Sequence, residues 1–315
     1  KPFEEHTFES WPIKLNDLKP YSRKACKILN INHQFRKAPL SNFFNQVEFQ
    51  YSGVKFADKY KQHIKKSNNI MLVLNTQLSH FVGDDNKTRY ALCISNKTIK
   101  KVRAKYFILA CGGVENSRLL LWTKVKNPKF FDDNLPIGKY WMTHSHTLGG
   151  RGIISRKKLK EEMKNKFLGY GNFMHFSATK ELMDRKKILN ASMYMLTQNV
   201  FKKDKILDKE IIKDVLCIAP GYGKKIANMD FESDIKCGNI ALLLEEEAIE
   251  NNKIVLDEDK DAFGIPKVKL FYKQTELSIK TAKLFMEEFA NLCRKNDLGR
   301  IAIKDSIYNL EKLEL

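Results

Sequence analysis

Two adjacent glycines, Gly112 and Gly113, separate an apolar run from a helical pattern in the stretch YFILACGGVENSRLLL, residues 106–121. Glycine adopts positive φ readily, and its lack of a Cβ lets another molecule approach the backbone closely. A corner at the carboxyl end of a strand also presents main-chain N–H groups that can bind ligand oxygens. The stretch predicts either a cofactor-binding turn or a plain strand-to-helix connection, and this motif alone does not separate the two.

The histidines, cysteines and acidic residues form no recognisable metal or disulfide pattern. His144 and His146 are the only close pair of histidines, and the six cysteines include no CxxC pair. A zinc site or a disulfide scaffold is therefore not expected. The acidic stretch DEDKDAFGIPKV, residues 257–268, begins like a calcium loop but lacks its glycine and its closing glutamate. We predict no metal site, and a β-hairpin over residues 253–272.

Composition indicates a globular protein with a basic surface. The chain has 315 residues, of which 43% are hydrophobic and 30% charged, enough for one or two domains with a sizeable core. No apolar run reaches the length of a membrane span. The formal charge of +19 comes mainly from lysines that are dispersed among acidic residues, so we expect no nucleic-acid partner. A protein that binds polyanions remains an alternative.

Hydrophobic periodicity predicts a mixed α/β fold. A near-continuous apolar strand, KYFILA at 105–110, is typical of a strand buried on both faces of a parallel sheet. An amphipathic helix is predicted after Thr275, its N-cap, with an apolar stripe of Ala282, Phe285, Phe289 and Leu292. The remaining pattern predicts helices near 20–29, 54–67 and from 113 onward, short strands at 69–74, 78–83, 89–95 and 98–104, and an antiparallel sheet that includes GNIALLLEEEA.

Five stretches in the same order resemble motifs of the glucose-methanol-choline (GMC) family of FAD-dependent oxidoreductases. The first, SWPIKLNDLKPYSRKACKIL, is similar to the family's GWPI segment, and NIMLVLNTQLSHF is similar to its adenine-contacting strand. KYFILACGGVENSRLLL closely resembles the family's glycine corner and helix, while LPIGKYWMTHSH and NNKIVLDEDKDAFGIPKVKLFY resemble two later motifs. The five together cover roughly residues 10–272.

The resemblance implies an α/β fold: a partial FAD/NAD(P)-binding Rossmann-like domain and a substrate domain with an antiparallel sheet. It implies that Leu78 contacts the adenine of FAD through main-chain atoms and that Ala110, Cys111 and Gly112 lie against the adenosine part. Four segments are expected: a helical segment of the substrate domain (1–66), part of the FAD domain (67–134), the substrate domain (135–292) and a return toward the FAD domain (293–315). The implied activity is oxidation of the CH–OH group of a small alcohol or sugar, with hydride transfer to flavin N5 and an unassigned electron acceptor.

Two departures from the family pattern affect these expectations. The sequence lacks the family's N-terminal GxGxxG, which binds the pyrophosphate, and its C-terminal motif with the catalytic histidine. The chain also begins KPFEEHTFES, without methionine or a signal-peptide pattern. We therefore expect a central fragment whose catalytic histidine lies beyond Leu315; only if the end is native are His144 and His175 candidate bases. A degenerate, non-catalytic relative remains an alternative, and localisation is unassigned, with the cytoplasm favoured.

Overall fold

The computed structural model describes residues 13–84, 87–163, 173–198 and 235–308. These residues form a mixed α/β structure whose sheets are antiparallel. Among the helices of the described part, none has both the length and the apolar content to cross a bilayer. The helices are α1 (Leu15–Leu29), α2 (Phe56–Lys66), α3 (Gly113–Lys126), α4 (Arg156–Glu162), α5 (Lys180–Lys186), α6 (Glu276–Lys295) and α7 (Asp305–Tyr308). The strands are β1 (Lys37–Pro39), β2 (Phe44–Val47), β3 (Thr76–Asp84), β4 (Lys87–Ser95), β5 (Thr98–Val102), β6 (Ser145–Ser155), β7 (Phe173–Ala178), β8 (Ala191–Gln198), β9 (Ile235–Leu244), β10 (Lys253–Lys260), β11 (Pro266–Phe271) and β12 (Gly299–Ile303).

The chain divides into two compact units, each assembled from separated stretches. The first unit combines Lys1–Val54, Thr143–Glu247 and Gln274–Leu315, and the second combines Lys55–Met142 with Ala248–Lys273. The second unit therefore contains helix α2, the region around the glycine corner and the β10–β11 hairpin. The four segments expected from the sequence remain a prediction.

A seven-stranded antiparallel sheet, in the order β1-β2-β7-β8-β9-β6-β12, forms the first unit together with helix α6. Side chains alternate between the two faces of a strand, so every second residue contributes to one core. On the core face the rings of Phe44 and Phe285 pack edge to face at 5.3 Å, as do those of Phe44 and Phe289. The alternate residues of β7, β8 and β9 are buried in the same core.

Helix α6 confirms the clearest sequence prediction. The Thr275 hydroxyl accepts a hydrogen bond from the Ser278 N–H at 3.1 Å and so caps the first turn. Ala282, Phe285 and Phe289 are buried, and Leu292 packs against the same core while partly exposed. The 3.6-residue period of these positions thus matches the face that covers the sheet.

The second unit contains a three-stranded meander, β3-β4-β5, the β10–β11 hairpin and helix α3. Its small apolar cluster consists of Phe81, Ala91 and Phe130, with partly buried neighbours from the segment before α3. The predicted short strands at 78–83, 89–95 and 98–104 are confirmed as this meander, and the predicted hairpin is confirmed as β10–β11.

The predicted strands at 69–74 and 105–110 are wrong for the described structure. Both segments lie outside the strands, and within the described residues neither pairs with another strand. Met71 is 87% exposed and Ile108 is 91% exposed. An apolar run of this kind becomes a buried strand only when neighbouring strands and covering layers are present. In the described residues neither segment has a neighbouring strand, although Phe107 and Leu109 pack partly buried against the cluster of Phe81. The expected parallel sheet of a Rossmann-like domain is therefore absent from the described residues.

Candidate functional site

The glycine corner is the N-terminal boundary of helix α3. Gly112 is the N-cap residue, with φ +89° and ψ 163°, a conformation that a side chain would strain. A Cβ added at Gly112 would meet nothing within 4 Å, whereas one at Gly113 would lie 3.4 Å from the Trp141 ring. The backbone conformation therefore requires glycine at position 112, and the space beside it is open.

Asn116 fixes the shape of this corner. Its Oδ1 accepts a hydrogen bond from the Cys111 N–H at 2.9 Å, and its Nδ2 donates to the Leu109 carbonyl at 3.3 Å. The Asn116 N–H also donates to the Gly112 carbonyl at 2.9 Å. One side chain thus ties the incoming segment to the first turn of the helix, which explains why asparagine follows the two glycines.

The corner leaves donors available to an external acceptor. Ala110, Cys111 and Gly112 are exposed, and no side chain caps α3. The first N–H groups of a helix have no acceptor within the helix, and its N-terminus carries a partial positive charge. The arrangement fits the polar oxygens of an adenosine or a phosphate, as the resemblance to FAD-binding proteins implies, and the residues present are compatible with that cofactor.

Leu78 lies near the same region through packing. It pairs with Cys93 in the β3–β4 ladder, and its side chain packs against the cluster of Phe81, Ala91 and Phe130, as does Leu109 just before the corner. The register shifts directly after Leu78, so that Ser79 has no opposite residue on β4. The structure therefore gives the Leu78 side chain a packing role and places an irregular backbone beside it. Its contact with a cofactor remains a proposal.

Arg118 connects helix α3 to the β10–β11 hairpin. Its Nε donates to the Pro266 carbonyl at 2.6 Å, and its Nη2 donates to the Asp261 carboxylate at 2.6 Å and to the Ile265 carbonyl at 3.0 Å. Its Nη1 contacts Glu115 at 3.2 Å. Arg118 is only 8% exposed, so these bonds satisfy a nearly buried guanidinium.

The Asp261 carboxylate is held in its charged form. Burial acts to raise the pKa of Asp261, but hydrogen bonds from Arg118 and from the Ile265 and Phe263 N–H groups outweigh burial, and the pKa lies below its ordinary value. The Asp261 carboxylate thus accepts hydrogen bonds both within the hairpin turn and from Arg118 on helix α3.

A third family-like stretch reaches the same hairpin. The Ile254 N–H donates to the Gly138 carbonyl at 2.7 Å, and the Trp141 N–H donates to the Asn252 carbonyl at 2.7 Å. Gly138 has φ +77°, and a Cβ there would lie 2.5 Å from the Ile254 carbonyl oxygen. Three stretches that resemble the GMC family, separated in sequence, therefore form one hydrogen-bonded framework within the second unit.

A group of aromatic and histidine side chains occupies the face of the first unit's sheet opposite its core. We call it the aromatic cluster: Phe49, Tyr51, His146, His175 and Tyr194. Phe49 stacks on His175 with ring centroids 4.6 Å apart and planes 11° apart, and Tyr51 lies 4.6 Å from Phe49. The rings of His175 and Tyr194 are 5.5 Å apart.

Strand register explains how these residues meet. His175 and Tyr194 are opposite partners in β7 and β8, and Tyr194 is opposite Ala241 of β9. The Tyr194 hydroxyl reaches Nε2 of His146 on β6 at 3.1 Å, and the small Ala241 side chain leaves room for this crossing of β9. The cluster therefore draws on β7, β8 and β6, with β9 between the last two, and on the segment that follows β2.

The two candidate bases from the sequence occupy different environments. His144 is exposed and precedes β6, and His146, not His144, contacts the cluster. His175 is buried, and burial lowers its pKa to about 4. A base of that strength is poorly matched to removing a proton at neutral pH, so the buried environment of His175 does not favour a role as general base.

Sequence reasoning missed most of this cluster, although a signal was present. Val47, Phe49 and Tyr51 continue the two-residue alternation of β2, while Tyr194 lies between the buried Met193 and Met195. Such alternation places a residue on the face opposite the core. In the described part of the chain, no three histidine, cysteine or acidic side chains are arranged to hold a metal ion.

Comparisons with known proteins are weak. No protein-family model matches the chain, and no curated protein matches it. One solved structure that matches is pyridoxine 4-oxidase from Mesorbium loti, at 9% identity and a TM-score of 0.42. Another is a formate oxidase variant from Aspergillus oryzae RIB40 studied for FAD modification, at 13% identity and a TM-score of 0.42. The alignments cover 83% and 82% of this chain and 48% and 50% of those structures. The chain thus spans about half the length of each, and at this level of similarity neither match carries a functional argument.

Proposed function

We propose that the chain is part of an FAD-dependent oxidoreductase of the GMC type that oxidises the CH–OH group of a small alcohol or sugar. The observation that carries the proposal is the corner at Gly112. It combines a backbone conformation that requires glycine, open space beside that glycine and an uncapped helix N-terminus. A connection that only turns the chain into a helix does not require all three features.

The framework around the corner supports the same proposal. Asn116 shapes the corner, and Arg118 in the next turn anchors the helix to the hairpin. Both residues belong to the stretch that resembles the family's glycine corner and helix. The resemblance therefore has a physical basis in this chain: these residues build and hold the candidate binding turn.

Within this proposal, Ala110, Cys111 and Gly112 contact the adenosine part of FAD, and the main chain at Leu78 contacts its adenine. The main-chain N–H groups at the start of α3 would bind polar oxygens of the cofactor. FAD held there would supply the acceptor for the hydride that leaves the carbinol carbon. The second unit would then be part of a Rossmann-like FAD domain, and the sheet of the first unit part of the substrate domain.

Two variants of the intact protein test this assignment. Gly112→Val and Gly264→Val both introduce a β-branched side chain at a glycine with positive φ, +89° and +74°, and in both cases the added Cβ has open space. Positive φ strains a valine at either position, by about 1–3 kcal/mol. We expect flavin, measured by visible absorption after purification, in the wild type and in Gly264→Val, with a large loss in Gly112→Val. Equal flavin content in the two variants, or no flavin in the wild type, contradicts the proposal.

A further inference from the structure

The aromatic cluster combines exposed rings with polar atoms at their edge. Tyr51 is 61% exposed and Phe49 is 44% exposed, although both side chains are apolar or amphipathic. The Tyr194–His146 hydrogen bond adds a hydroxyl group and an imidazole to this set of rings.

The side chains that hold the cluster are separate from the cluster itself. Gln50 accepts from the Asn32 N–H at 2.7 Å and donates to the Gln34 carbonyl at 3.3 Å. Glu48 pairs with Arg36 at 2.7 Å. These alternate residues fix the segment after β2, so Phe49 and Tyr51 are presented on an ordered backbone despite their exposure.

The chemistry of the cluster restricts the ligand it fits. None of its five side chains is a carboxylate, an amine or a guanidinium, so the cluster offers no permanently charged partner to an ionic group. Aromatic rings favour stacked or edge-to-face contact with another ring. The polar groups are few and lie together, which suits one hydroxyl group better than the several hydroxyls of a sugar.

We propose that the aromatic cluster binds a small neutral aromatic alcohol, with the ligand ring against Phe49 and Tyr51 and the ligand hydroxyl hydrogen-bonded by Tyr194 and His146. The proposed ligand is the substrate class of the proposed oxidoreductase. Oxidation of the ligand hydroxyl rests on that proposed function, whereas binding of the ligand does not. The cluster is assigned as a binding surface.

The test is a titration of the intact protein with benzyl alcohol, followed by NMR of labelled histidine and tyrosine side chains. A ligand of this size binds in the range of about millimolar Kd. We expect the signals of His146 and Tyr194 to shift in a saturable manner, and glucose at the same concentrations to leave them unchanged. Equal shifts with glucose, or no saturable shift with benzyl alcohol, overturn the proposal.

Matched variants separate stacking from hydrogen bonding. Tyr51→Leu removes a ring and should weaken benzyl alcohol binding by about 2- to 12-fold. Tyr194→Phe keeps the ring but removes the hydroxyl, and should weaken binding by a similar factor. Tyr21→Leu removes a tyrosine that is 68% exposed on α1 in the same unit, and should leave binding unchanged. A Tyr51→Leu effect no larger than that of Tyr21→Leu contradicts the proposal.

The failure of this inference is distinguishable from the failure of the proposed function. Flavin content is measured independently by visible absorption, with Gly112→Val as its variant. Retained flavin without benzyl alcohol binding overturns the aromatic site alone. Benzyl alcohol binding without flavin overturns the oxidoreductase assignment and leaves the site in place.

Discussion

Replacing Arg118 with methionine should destabilise the second unit far more than replacing an exposed arginine. The substitution keeps most of the apolar stem and removes the guanidinium, which donates to the Pro266 and Ile265 carbonyls and pairs with Asp261. A buried acceptor without its donor costs about 1–3 kcal/mol. The Pro266 carbonyl and the Asp261 carboxylate lose the Arg118 donor here, whereas the Ile265 carbonyl keeps a hydrogen bond from the Asp261 N–H at 2.9 Å. Because the Asp261 side chain is 26% exposed, water recovers part of this loss. We expect a decrease of about 3 kcal/mol in the free energy of unfolding.

The matched control is Arg89→Met in the same unit. Arg89 pairs with Asp84 at 2.6 Å, as Arg118 pairs with Asp261, but its side chain is 67% exposed and that of its partner 47%. An exposed pair contributes about 0.2–1 kcal/mol, so the control should lose less than about 1 kcal/mol.

Urea unfolding of the intact protein provides the assay, followed by tryptophan fluorescence because Trp122 and Trp141 belong to the second unit. Comparable m-values in the three proteins are required before their midpoints are compared. A loss in Arg118→Met no larger than the loss in Arg89→Met would refute the claim that Arg118 holds helix and hairpin together.

Three further outcomes follow from the same contacts. The folded state lowers the pKa of Asp261. Its contribution to stability is therefore present above the unfolded pKa of about 3.9 and is lost as the pH falls through the lower folded value. The stability difference between wild type and Asp261→Asn should shrink between pH 7 and pH 3, and a constant difference would contradict the role of its charge. Leu78→Val keeps the N–H and an apolar side chain and should retain FAD, whereas Leu78→Pro loses a donor worth about 0.5–1.5 kcal/mol and should bind FAD more weakly. Circular dichroism verifies the fold of both variants. Equal FAD affinity in two folded variants argues against the main-chain contact. Asn116→Ala should lower flavin content through a disordered corner, and unchanged content would show that the corner keeps its shape without the side chain.

Local patterns predicted the longer helices α1, α2, α3 and α6 and the antiparallel meander and hairpin, because the information lies within a few residues. The stripe of α6 and its Thr275 cap agree with the structure, as do the meander and the hairpin. The glycine corner could also be located from sequence, since Gly112 indeed has positive φ.

Long-range contacts could not be predicted from local patterns. The run at 105–110 has the composition of a buried strand, but burial depends on neighbours that no local pattern specifies, and Ile108 is almost fully exposed. The pairing of Arg118 with Asp261, 143 residues away, depends on the placement of a hairpin beside a helix. The aromatic cluster likewise depends on the order of β7, β8, β9 and β6 in the sheet, which sequence does not provide.

The most direct test of the central claim is a comparison of FAD, ADP and FMN binding to the intact, flavin-free protein by isothermal titration calorimetry. In the proposal, the residues assigned to the cofactor contact its adenosine part. We therefore predict that FAD binds, that ADP competes with it, and that FMN, which lacks the adenosine, binds much more weakly. Gly112→Val should remove the preference for FAD over FMN. Equal binding of FAD and FMN, or FAD binding that ADP does not reduce, would contradict the assignment of the Gly112 corner as an adenosine-binding turn.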